Sequence, residues 1–123
     1  MADKLIRFGP VALTTTLTTN ILNCTVTSLA GPVGITLTQP HMCIRHIRIV
    51  NKTGTAATFS LWLGATGGNA AGTEVIGIAL SVAANSSYDW YGMLNMEVAD
   101  FLVGGAGTAT ALTIEGEGSI SLI

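Results

Sequence analysis

His41 and His46 flank Cys43, and this is the one stretch of the 123-residue chain with the residue types of a metal site. Zinc takes three or four nitrogen, sulfur or carboxylate ligands that converge on one point. On an extended strand, side chains two apart share a face, so His41 and Cys43 point one way and His46 the other. The three do not converge, and no metal or other cofactor is expected. Glu115 and Glu117 project from the same side of a strand, roughly 7 Å apart, a spacing that paired carboxylates use in acid–base work. Thr113, Ser119 and Ser121 continue that polar side, so a solvated outer face explains the pair more simply. Nucleophilic catalysis needs Ser or Cys beside a His oriented by a carboxylate, and no GxSxG turn occurs. Gly64 to Gly68 lacks the Lys-Ser/Thr ending of a phosphate loop and reads as a turn. No catalytic residue emerges, and the chain reads as a non-enzyme.

The densest aromatic cluster is Tyr88-Asp89-Trp90-Tyr91, which together with Trp62 could stack a sugar. Large rigid rings also anchor cores and subunit contacts at low entropic cost. Alternation puts Tyr88 and Trp90 on one face and Asp89 and Tyr91 on the other, so one of the pairs is expected in the core. Core plus interface is the favoured reading over glycan binding.

The elements that position these residues are strands. Hydrophobic alternation of period two recurs, and no window of 11 or more residues carries a helical stripe. Leu112, Ile114, Gly116, Gly118, Ile120 and Leu122 share one face of a long C-terminal strand. Ala57, Phe59, Leu61 and Leu63 share a face of another over 56–63. Further strands fit 21–28, 34–38, 43–50, 74–80, 86–91 and 99–103, with turn signals between them. The Thr14–Asn20 run favours extended backbone but offers few large side chains, so it is expected as an arm or an edge strand. The expectation is an all-β chain of one domain, 1–123: an antiparallel β-sandwich of jelly-roll or Greek-key type, with residues 1–20 as an extended N-terminal arm.

Composition limits the partners. Charged residues make up 10% of the chain, against about a quarter in a typical soluble protein, and residues 8–44 contain none. A surface of Thr, Ser, Gly, Ala and Asn suits contact with other proteins. Five basic residues and a net charge of −2 leave too little positive charge for direct nucleic-acid binding. Every apolar run is interrupted well short of the ~18 residues a membrane-spanning helix needs, and no export signal is read at the N-terminus. Cys24 and Cys43 are therefore expected as reduced, small apolar residues, although a bridge between them remains open.

Three segments carry a resemblance: His46-Ile47-Arg48-Ile49-Val50-Asn51-Lys52-Thr53-Gly54, then Phe59-Ser60-Leu61-Trp62-Leu63-Gly64, then Ala83-Ala84-Asn85-Ser86-Ser87-Tyr88-Asp89-Trp90-Tyr91-Gly92. Over about residues 43–123 the chain resembles the small β-sandwich structural proteins of tailed bacteriophages, among them capsid decoration or cement proteins. The resemblance implies a virion protein, made in the host cytoplasm, that binds the major capsid protein on the capsid surface. Threefold shell positions would favour a homotrimer. A tail or head-fibre component is the structural alternative, and a carbohydrate-binding module the alternative from another class. Expected contact residues are Phe8, Leu13, Leu17 and Ile21 as arm anchors, Arg45, Arg48 and Lys52 as polar contacts, and the rings of Trp62, Tyr88, Trp90 and Tyr91.

Overall fold

A computed structural model describes residues 3–23, 41–65, 67–69, 73–76, 79–97 and 100–121. Among them are eight strands and no helix: β1 (Asp3–Ala12), β2 (Asn20–Asn23), β3 (His41–Asn51), β4 (Ala57–Gly64), β5 (Leu80–Val82), β6 (Ser86–Met96), β7 (Phe101–Ala106) and β8 (Leu112–Ser121). They form two four-stranded sheets, β1-β8-β3-β6 and β2-β7-β4-β5, and every pairing is antiparallel. First pairs with eighth, second with seventh, third with sixth and fourth with fifth. That is one long hairpin folded over into a sandwich, the jelly-roll order.

Period-two alternation builds the core between the sheets. Ile6 and Phe8 of β1, Met42, Ile44, Ile47 and Ile49 of β3, and Leu112, Ile114 and Ile120 of β8 point inward. They meet Ala57, Phe59 and Leu61 of β4 with Leu102 and Ala106 of β7. Gly116 also faces inward on β8, and a Cβ there would collide with the Phe8 ring, so the missing side chain makes the space that Phe8 fills. At one end, buried Asn51 ties the β3–β4 turn together. Its Nδ2 donates to the carbonyls of Thr55 (2.9 Å) and Val82 (3.1 Å), and its Oδ1 accepts from the Thr53 backbone N–H (2.9 Å) and hydroxyl (2.7 Å).

Residues 1–20 were expected as an arm, and their described part is built into the sandwich. β1 is the edge strand of its sheet, paired with β8 from Asp3 to Ala12, with an irregularity between Phe8 and Val11 where Gly9 takes φ of 75°. Ile6, Phe8 and Leu13 are buried in the core. The threonine run that follows folds on itself: the Thr14 and Thr19 hydroxyls are 2.9 Å apart, and Thr19 Oγ1 donates to the Thr16 carbonyl (2.7 Å). Short hydroxyl side chains that bond nearby backbone favour such turns. The turn lies along β7, taking hydrogen bonds from Gly104 N to Thr19 O (3.0 Å) and from Ala106 N to Thr14 O (2.8 Å).

The strand expected over 74–80 begins only at Leu80 among the described residues. Before it, Val75 N donates one bond to Leu61 O, and Ala79 turns the chain at φ of 46°. The expected strand at 21–28 is present as β2 as far as Asn23; its remainder, the one at 34–38, and Cys24 lie outside the described residues.

Phe8→Ala is expected to cost about 3–5 kcal/mol, the usual penalty for emptying a buried phenylalanine site, measured by urea unfolding. Deletion of residues 2–20 removes an edge strand and three core side chains, so the cooperative unfolding transition should be lost. A truncated chain that still unfolds cooperatively would restore the arm.

Candidate functional face

The outward side of sheet β1-β8-β3-β6 carries Arg7, Arg48, Asp89, Glu115 and Glu117, and β3 sets its geometry. Between Ile44 and His46 the register slips against both neighbouring strands, with Arg45 as the extra residue relative to β8. This bulge lets Ile44 and Ile47 both reach the core, and it moves His46 onto the outer face with Cys43 and Arg48. Strict alternation puts His46 on the face opposite His41 and Cys43; the bulge reverses that expectation.

Cross-strand pairing then gathers residues far apart in sequence. Arg7, Glu117, His46 and Tyr91 stand in one row across β1, β8, β3 and β6; Glu115, Arg48 and Asp89 stand in the next. His46 Nε2 is 2.8 Å from Asp89 Oδ1, and its Nδ1 is 3.4 Å from Glu117 Oε1. Arg48 Nε donates to the same Asp89 oxygen at 2.7 Å. The Tyr91 ring stacks on His46, with centroids 4.7 Å apart and planes within 18°. The Arg48 hydrogen bond, then that of His46, hold the Asp89 carboxyl below its ordinary value, against the smaller opposing effect of desolvation. Asp89 in turn raises Arg48.

His46, Glu115 and Glu117 have one ligand atom each within 4.8 Å of one another, the donor set among the described residues that comes nearest to a cation site. Arg48 and Arg7 stand on the neighbouring positions of β3 and β1 and oppose a cation there. The arrangement forms a chain of ion pairs and one ring stack on an open sheet face, suited to holding a charged or aromatic group of another molecule.

The expected contact residues divide by burial. Phe8 and Leu13, expected as arm anchors, are core, and Ile21, expected as another, packs against it. Trp62 is buried opposite Val103, and Tyr88 and Trp90 lean on the core. Leu17, Arg45, Arg48, Lys52 and Tyr91 remain at the surface, Tyr91 with 71% of its area exposed. Arg7, His46, Asp89, Glu115 and Glu117 of the same face were not singled out from sequence as contact residues. The signal that joins them is strand pairing, which no local spacing reports.

The other sheet is different. β2, β4, β5 and β7 contain no Asp, Glu, Lys or Arg. Sheet β1-β8-β3-β6 holds Asp3, Lys4 and Arg7 in β1, Arg45 and Arg48 in β3, Asp89 in β6 and Glu115 and Glu117 in β8, eight of the chain's twelve charges.

No protein-family model matches the chain, and no curated protein matches it.

Asp89 gives a pH test. A carboxyl whose folded pKa lies below its unfolded value stabilises the fold above the unfolded value and loses that contribution as pH falls through the folded one. Here the ordinary value is 3.8. Wild type should therefore be more stable than Asp89→Asn at neutral pH, and the difference should vanish in acid below that value. Urea unfolding over the range checks this; a gap that persists unchanged into acid would contradict it.

Proposed function

We propose that this chain is a non-enzymatic structural protein of a tailed-phage particle, seated on the capsid surface as a decoration or cement protein with the major capsid protein as its partner. The observation that carries the proposal is the segregation of charge between the sheets. An enzyme concentrates perturbed polar groups in one enclosed pocket. A cement protein instead needs a rigid body with distinct adhesive flanks. The flank over the charge-free sheet, formed in part by the Thr14–Thr19 turn along β7, supplies one side: backbone, threonine and small apolar groups that touch another protein with little charge to desolvate. Leu17 and Val75, each more than a third exposed, belong to segments beside this sheet.

Two further considerations agree. The jelly-roll order is shared with viral capsid domains, although lectin domains and cupins share it too, so fold alone does not choose. The resemblance of residues 43–123 to small phage β-sandwich proteins points to the particle. The glycan-binding alternative needs several exposed, coplanar rings. Of the four candidate rings only Tyr91 stands clear of the core, and its near face is taken by His46.

Quantitative mass spectrometry of purified particles tests the proposal. A decoration protein should be present at about one copy per major shell subunit, or a simple fraction of that, as particle symmetry requires. A few copies per particle would make it a tail or head-fibre component, and absence from particles would sink the proposal.

A further inference from the structure

The outward charges of sheet β1-β8-β3-β6 whose side chains are described follow a simple order. Arg7 on β1 is positive, Glu115 and Glu117 on β8 negative, Arg48 and the exposed bulge residue Arg45 on β3 positive, and Asp89 on β6 negative. An alternating pattern over four strands changes sign when the order is reversed. We propose that this face binds the same face of a second copy of the chain, about a two-fold axis parallel to the strands and midway between β8 and β3. Such an axis sets β1 over the partner's β6 and β8 over the partner's β3, so each strand meets one of opposite charge.

Rotation about an axis along the strands keeps every residue at its own level, and the cross-strand pairs fix those levels. Arg7 meets the partner's Tyr91, whose ring face away from His46 is open to a guanidinium. Glu117 meets the partner's His46, and Glu115 meets the partner's Arg48. Arg7 and Glu115 belong to no ion pair among the described residues, so each has its charge to offer. The exposed apolar groups fit as well. Leu5, Tyr91 and Met93, exposed by 91%, 71% and 66%, exceed all other large hydrophobic residues described, and all three lie on the edge strands β1 and β6 of this sheet. The two-fold axis places Leu5 against the partner's β6 near the level of Met93, since Leu5 shares a row with Asn95.

Strand spacings of about 4.8 Å and about 3.4 Å per residue give this face about 500 Å², so a pair buries about 1,000 Å² in total. That is near the lower limit for a specific interface and implies a pair that dissociates in the micromolar range. The contact rests on charge pairing, so added salt should weaken it. The pair leaves the two flanks that lie over the charge-free sheets, each with its Thr14–Thr19 turn, on opposite sides, so it can join two neighbouring shell subunits. Self-pairing about a two-fold axis stands in place of the homotrimer that the resemblance implies; it goes beyond the decoration role and is tested without particles, so either can fail alone.

Sedimentation equilibrium of the full chain, from about 5 to about 200 μM, should show a monomer–dimer equilibrium. Glu115→Arg and Arg48→Glu should each weaken the dimer about tenfold or more, because each sets like charges opposite one another twice. An equimolar mixture of the two variants should recover it, since the altered residues then meet each other and the unaltered pair is kept. Circular dichroism confirms that each variant folds. Should Arg48→Glu fail to fold without its Asp89 contact, Tyr91→Ala should give the same weakening. A monomer across the range, a trimer, or no recovery in the mixture would overturn the proposal.

Discussion

The outer face depends on one constraint at the centre of β3: Ile44 and Ile47 must both face the core, three residues apart on an element whose side chains alternate by two. The backbone satisfies both by bulging at Arg45. Without the bulge, His46 would point into the sandwich and a core isoleucine into water. With it, His46 lies between Asp89 and Glu117, Tyr91 stacks on the imidazole, and Arg48 reaches Asp89. Burying the two isoleucines gains several kcal/mol, whereas exposed ion pairs contribute little. Packing therefore sets the position of the charges, and the charges set only what the face can bind.

A second consequence of the sandwich is its inequality. The outward side of β2-β7-β4-β5 is covered in part by its own chain, with Ser60, Trp62 and Val103 buried there, the Thr14–Thr19 turn against β7, and Ala79 N donating to Ser60 Oγ at 2.9 Å. Polar atoms on that side are satisfied locally by hydroxyls and backbone, which need no charge. The opposite sheet is uncovered among the described residues, and its exterior is kept soluble by alternating ions. Low overall charge is thus a property of one half of the molecule rather than of its whole surface.

Much of this was legible in the sequence. Alternation of Leu112, Ile114, Gly116, Gly118 and Ile120 located β8 and its inward face, and the same rule separated Tyr88 and Trp90 from Asp89 and Tyr91. The rule failed where the backbone departs from regular pleating: at the Arg45 bulge, which reversed His46, and at 74–76, where Val75 bonds Leu61 but the strand begins only at Leu80 among the described residues. Residues 1–20 were expected as an arm because a threonine-rich segment with few large side chains looks unattached; among the described residues Ile6, Phe8 and Leu13 belong to the core. The grouping of Arg7, His46, Asp89, Glu115 and Glu117 depends on the register of strands up to 110 positions apart in sequence, from Arg7 to Glu117, and periodicity carries no trace of it.

In the proposed role the two sheets face different neighbours, with the neutral flank turned to the shell. Hydrogen–deuterium exchange of the chain, free and bound to particles, separates the two flanks. Added protection on binding is expected at the Thr14–Thr19 turn and at β5, with exchange in β3 and β8 as in the free chain. Added protection confined to β1, β3, β6 and β8, with the Thr14–Thr19 turn unchanged, would contradict it.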